Sequence, residues 1–259
     1  MSVELYQKYL VALEGMAYAG KPMLYEWSPL SRTLDVAWMP YSYMLDEFSV
    51  EIANSVNQLT NYAHRLKAWG VVTSSMTDQE KLDAACEFID PIATVALTLP
   101  YVIRSRFIFA TAHLCHQANR SRDARDWKDD LPLDDEIYFS AADAYGAGWS
   151  GYKLLKRRVE RIGNKNYQTA TCDFRNVYNH RFSPHVVIGI SQIVKRQVEA
   201  HSKKVTYAFR CIPALTVKAV AELLNNQCKQ SYGAFEAFQK LIGEHVRSIV
   251  GSAGVSSRA

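Results

Sequence analysis

Residues 44–69 read MLDEFSVEIANSVNQLTNYAHRLKAW, and Phe48, Ile52, Val56, Leu59, Ala63 and Leu66 fall on one face of a helix drawn through them. Apolar residues three and four apart share a face at 3.6 residues per turn, so the stretch predicts an amphipathic helix that ends at Gly70. The same period extends in both directions. Leu5, Tyr9, Leu10 and Leu13 stripe a first helix that ends near residues 15–20, and residues 21–43, rich in Trp, Pro, Ser and Tyr, read as an irregular packed segment. Thr77 ahead of Asp78 and Glu80 marks a capped start. The helix that follows runs to about Asn119, kinked or broken at Pro91 and Pro100.

Residues 120–136 form the most polar stretch and read as a loop. Beyond it the pattern predicts one helix over about 138–162, a second over about 167–180 that holds His180 in its last turn ahead of Pro184, and a final helix over about 213–250, with residues 251–259 disordered. Between the last two helices the period changes to two. Val205, Tyr207, Phe209 and Cys211 alternate with Lys204, Thr206, Ala208 and Arg210, after an apolar, β-branched run over 186–198. That signal predicts a β-hairpin with its turn near residues 200–203. The expectation is an all-α helical bundle with one inserted β-hairpin, a single domain over residues 1–259. Its parts are N-terminal helices (1–119), the polar loop (120–136), and the later helices with the hairpin (137–259).

Hydrophobic residues make up 48% of the chain and charged residues 22%, which excludes a disordered or fibrous protein. The net charge of +4 conceals an asymmetry. Residues 1–130 carry 12 Lys and Arg against 16 Asp and Glu, and residues 131–259 carry 18 against 10. The basic second half favours a polyanionic partner. The five scattered cysteines lack CxxC spacing and read as reduced thiols. The apolar run over 91–103 is too short for a bilayer that needs about 20 residues, so a soluble, cytoplasmic protein without membrane contact is expected.

The chemistry-bearing stretch is Arg175-Asn176-Val177-Tyr178-Asn179-His180. Arginine offers a fixed fork of donors to a phosphate, and histidine moves protons near neutral pH. In one helix Asn176 and His180 share a face, but Arg175 and His180, five apart, lie about 140° round the axis. Either the helix unwinds before Pro184, or two copies of the segment line one cleft. Lys153, Arg157 and Arg161, at i, i+4 and i+8 on the preceding helix, form a row that could guide a phosphate backbone, and Arg181 and Tyr178 adjoin the motif. A solvated helix face is the plainer reading of such a row.

This stretch resembles the R-x4-6-H signature, with a polar residue after the arginine, of the HEPN family (higher eukaryotes and prokaryotes nucleotide-binding), many of whose members cut RNA. The resemblance is specific over about residues 138–184. It implies a HEPN-like helical bundle, paired protomers with the cleft between them, and metal-independent RNA cleavage by attack of the ribose 2′-hydroxyl. His180 would be the general base or acid, Arg175 the phosphate ligand, and Asn176 the residue that orients the imidazole or a phosphate oxygen. Lys153, Arg157, Arg161, Arg181 and Tyr178 would bind RNA, with no cofactor and no metal. Such proteins commonly act as toxins or in defence against phage, some with an antitoxin or immunity partner. One toxin branch carries a tyrosine where this chain has Phe182, which has no hydroxyl to modify. A module that binds RNA or a nucleotide without cutting it, and a helical scaffold that docks an acidic protein, remain open alternatives.

His113 and His116 share a helix face, but a third ligand at sensible spacing is lacking, so they read as packed helix. The chain contains no P-loop, GxSxG or HExxH pattern.

Overall fold

The computed structural model describes residues 2–27, 30, 34–199 and 203–256. It is an all-α helical bundle that carries a β-ribbon. The helices are α1 (Ser2–Glu14), α2 (Met39–Thr73), α3 (Asp78–Ala84), α4 (Asp90–Asn119), α5 (Phe139–Gly146), α6 (Tyr152–Val159), α7 (Lys165–Ala170), α8 (Phe174–His180) and α9 (Val217–Ser256). The strands β1 (Ile190–Ser191), β2 (Val194–Val198), β3 (Val205–Phe209) and β4 (Ile212–Pro213) lie between α8 and α9. The chain divides into two compact units: residues 1–20, 59–99 and 164–226 form the first, and 21–58, 100–163 and 227–259 the second. Each unit takes one part of α2, α4 and α9.

In the first unit α1 lays Leu5 and Tyr9 into the core. Tyr9 stacks on Trp69 with ring centres 4.6 Å apart, and Trp69 stacks on Phe88 at 5.3 Å. Leu59, Ala63 and Leu66 of α2 are fully buried there, as their spacing predicts. Gly70 does not end this helix. A Cβ at Gly70 would lie 3.6 Å from the backbone nitrogen of Lys218, an ordinary van der Waals contact, and α2 runs on to Thr73. The buried face of α2 outweighs the roughly 1 kcal/mol that glycine costs in a helix.

Thr77 caps α3 in a reciprocal box: its hydroxyl accepts from the Glu80 N–H, and the Glu80 carboxylate accepts from the Thr77 N–H. A wide π-turn over Ala85–Ile89 links α3 to α4, immediately before Pro91. Proline brings a ring but no N–H into the ladder, and the wider turn accommodates it. Pro100 sits inside α4 without ending it.

In the second unit Tyr41, Leu45, Ile52, Phe107, Phe238 and Ile242 are fully buried. Burial of such side chains contributes on the order of 1.5–3 kcal/mol each, which makes this core the main source of stability there. The helix expected over 138–162 is instead two, α5 and α6. A Cβ on Gly146 would stand 2.6 Å from the Tyr152 ring, so the chain turns at the glycines where an ideal helix would carry it straight on. Arg122 donates to the Gly148 carbonyl within that turn. The helix expected over 167–180 also divides, because Cys172 and Asp173 both adopt the left-handed region, at φ 54° and 55°. α9 begins at Val217, where the Thr216 hydroxyl accepts from the Ala219 N–H, and it continues to Ser256, past the expected end at residue 250.

β2 and β3 form the expected antiparallel hairpin, in which Val194 faces Phe209, Arg196 faces Tyr207 and Val198 faces Val205. The expected turn near 200–203 falls outside the described residues except for Lys203. β1 and β4 pair below the hairpin, Ile190 with Pro213 and Ser191 with Ile212, so the ribbon is longer than the alternating pattern suggested.

Asp78–Asn119 is long and apolar enough to cross a membrane, judged on length and composition alone. Within it Ala93, Ala96 and Leu97 are core residues of the first unit, and Ile103, Phe107 and Ala110 of the second.

Candidate nucleic-acid interface

α8 is a short helix held from one side. Phe174 and Val177, three apart, are buried, which turns Arg175, Asn176, Tyr178, Asn179 and His180 outward. Its start is braced by Asp173. One carboxylate oxygen of Asp173 accepts from Gln168 Nε2 at 2.7 Å, and the other accepts from Asn176 Nδ2 at 3.0 Å. The polar residue after the arginine is therefore occupied in fixing the entry to the helix. Its amide donates to the Asp173 carboxylate, where the expectation was that it orients the imidazole or a phosphate oxygen.

His180 is the last residue of α8, as expected from the proline downstream, and it is exposed. The Arg181 N–H closes the helix on the Val177 carbonyl at 2.7 Å. A cationic imidazole is welcome at a helix C-terminus, which is the structural account of a histidine there. After Pro184 the chain is pinned again: the Leu215 N–H donates to the His185 carbonyl at 2.9 Å, and Val186 is buried.

Between α8 and the ribbon, all within the first unit, lies an open groove of about 1010 Å³. His180 and His185 both line it, with Tyr178 and Phe182 as aromatic wall and Arg181 and Arg196 as cations. A second hollow of about 530 Å³ shares Arg181, Gln192 and Lys195 with the groove and adds Lys165 and Arg210. Four cations line it, and the carboxylate among them, Asp173, is already engaged by Gln168 and Asn176. Behind His185, Asp90 is half-buried. Burial raises its carboxyl above the usual carboxylate range and the nearby His185 opposes that rise, while Asp90 Oδ1 has no hydrogen-bond partner among the described residues.

Of the residues expected to act together, the structure brings Tyr178, His180 and Arg181 to one groove. Arg175 is exposed on the same helix but is not among the residues that line the groove. α8 stays helical to His180 and the separation round the axis persists. Lys153 and Arg157 are exposed on α6, and Arg161 lies in the turn after that helix ends at Val159, so the expected row is helical through two of its three members. These three belong to the second unit and the motif to the first. His113 Nε2 lies 3.2 Å from Asp134, and His116 Nε2 lies 3.0 Å from Asp129. Among the described residues no three His, Cys, Asp or Glu side chains gather as a metal site.

Sequence reasoning missed His185, Phe182 and the cations of the ribbon as members of the site. Their signal was present, as a second histidine five residues after the first and as basic residues interleaved with aromatics over 195–210, but the interleaving was assigned to strand structure alone. No protein-family model, curated protein or solved structure matches this chain.

Proposed function

We propose that the chain is a metal-independent endoribonuclease that cuts single-stranded RNA at the groove between α8 and the ribbon. The observation that carries this reading is that two exposed histidines, His180 and His185, line one groove with Arg181 and Arg196. Cleavage by transesterification needs one proton removed and one supplied, and two imidazoles can do both near neutral pH. His180 takes the proton of a ribose 2′-hydroxyl. The 2′-oxygen bonds to phosphorus, the bond from phosphorus to the 5′-oxygen breaks, and protonated His185 gives its proton to that leaving oxygen. The products are a 2′,3′-cyclic phosphate and a 5′-hydroxyl. Arg181, which lines the groove, holds the phosphate and the charge that develops on it. The R-x4-H resemblance to HEPN ribonucleases supports the same chemistry. In a two-fold pair of copies, Arg175 of one copy would complete the groove of the other.

On this reading the protein works in the cytoplasm as a toxin or anti-phage effector, restrained by an antitoxin or immunity partner, and its activity arrests growth. The test is incubation of wild type, His180→Ala and His185→Ala with total RNA in EDTA, with analysis of fragment ends. Cyclic phosphate ends from wild type, with either variant slower by about 10²–10⁴-fold, are expected. Equal cleavage by all three refutes the assignment. Arg175 outside the groove favours a second reading, a module that binds RNA without cutting it. RNA that is retained but uncut by wild type selects that reading.

A further inference from the structure

The β2–β3 hairpin wears its apolar face outward. Residues directly opposite in an antiparallel pair share a face, so Val194, Arg196 and Val198 lie on the same side as Phe209, Tyr207 and Val205. On that side Val194 is 52% exposed, Val198 62%, Val205 51%, Tyr207 74% and Phe209 85%. On the other side Lys195, Thr206 and Ala208 are partly buried and Gln197 is exposed. A hairpin that only covered the core would be the other way round. Phe182, 86% exposed, is tied to the base of the ribbon, where Gln192 Nε2 donates to its carbonyl, and lines the His180 groove beside Val194 and Arg196.

We propose that this face is a stacking platform for single-stranded RNA, which receives the bases that run out of the His180 groove while their phosphates follow Arg181 and Arg196. The proposal deepens the ribonuclease reading by assigning the substrate's path, and its occupant is chosen by charge. Residues 181–213 contain six Lys and Arg and one Glu, so the ribbon and the segment leading to it are strongly cationic. Aromatic rings interleaved with cations suit unpaired bases, whose faces stack on the rings while the charges follow the backbone. Two such faces brought together about a two-fold axis would set cation against cation, which disfavours a second copy as the occupant. A duplex hides its base faces, so the platform discriminates between strands by their pairing and has no need of a 2′-hydroxyl.

That last property separates this test from the cleavage test. Fluorescent (dT)12, which cannot be cut by 2′-hydroxyl attack, and U12 are titrated by anisotropy with wild type, Tyr207→Ala, Phe209→Ala, Phe209→Trp and Arg196→Ala. Circular dichroism is recorded on every variant. Wild type is expected to bind both single strands and to ignore the same sequence in a duplex. Each aromatic-to-alanine change weakens binding by roughly 5- to 150-fold, and Phe209→Trp restores it. Arg196→Ala reduces the slope of log K against log salt by about 0.7. Binding unchanged in the folded alanine variants overturns the platform. So does failure of wild type to bind either strand while Phe209→Ala alone dissolves a dimer, which assigns the face to a second copy. If wild type binds (dT)12 through these residues but leaves RNA intact, the platform stands and the ribonuclease reading falls.

Discussion

Lowering the pH from 7 to 5 is expected to weaken the second unit at His245. This imidazole is wholly buried. Its Nδ1 lies 3.0 Å from the Tyr41 hydroxyl, its Nε2 lies 3.6 Å from the Cys115 thiol, and the Trp149 ring sits at 4.3 Å. Burial pushes the Tyr41 and Cys115 groups up, so both stay neutral, and the same burial pulls His245 down from 6.5 to about 3. The unfolded chain takes up a proton at this residue as pH drops through 6.5, and the folded chain refuses it until about 3. A depressed pKa of this kind contributes stability that is full above the unfolded value and is lost as pH falls between the two. At about 1.4 kcal/mol per unit within that window, the loss from pH 7 to pH 5 is about 2 kcal/mol. Urea unfolding followed by tryptophan fluorescence measures it, with His245→Gln as the reference, since an amide can bond to Tyr41 and Cys115 but does not titrate. The variant is less stable at pH 7, and its loss between pH 7 and 5 is smaller than that of wild type by about 2 kcal/mol. Equal losses in both proteins would refute the buried neutral imidazole.

Three further substitutions check the turns and caps. Gly146→Ala puts a methyl 2.6 Å from a Tyr152 ring that is anchored by its hydroxyl to Asp143, and thermal unfolding should show a loss of about 1–3 kcal/mol. Gly70→Ala meets only ordinary contacts, the nearest at 3.6 Å, so the same assay should show a gain approaching about 1 kcal/mol from helix propensity. Thr77→Ala removes one half of the capping box on α3 and should lower stability by about 1 kcal/mol, with hydrogen exchange rising first at residues 78–80.

The parts of this fold that were legible in the sequence are those decided by near neighbours. The face of α2, the box at Thr77 and the strand period over 205–209 depend on residues within a turn or a pair of each other. The breaks were not legible for a different reason. Glycines at 146, 148 and 151 are tolerated in a helix until a ring such as Tyr152 occupies the space beside one of them. Cys172 and Asp173 enter the left-handed region without any glycine to announce it, held there by the Gln168 and Asn176 contacts to Asp173. Gly70 misled in the opposite direction, because a helix held by the burial of Leu59, Ala63 and Leu66 carries a glycine without ending at it. For the candidate site, the sequence placed His180 in the last turn of a helix ahead of Pro184, which is where α8 ends. Period two gave the ribbon but is silent on which of two faces meets the core, so the grouping of His185, Phe182 and the ribbon cations around the groove was hidden.

The outward face of the ribbon also governs how the protein behaves at high concentration. A two-stranded ribbon consists of edge strands and, here, has an exposed apolar side, which together favour strand addition by neighbouring molecules. Its lysines and arginines act as gatekeepers that keep ribbons apart through like-charge repulsion acting over a Debye length of about 8 Å at physiological salt. At 1 M salt that length shrinks to about 3 Å, and the gatekeeping fails while apolar attraction strengthens. Concentrated salt is therefore expected to promote association that begins at the ribbon, and light scattering against salt concentration measures it.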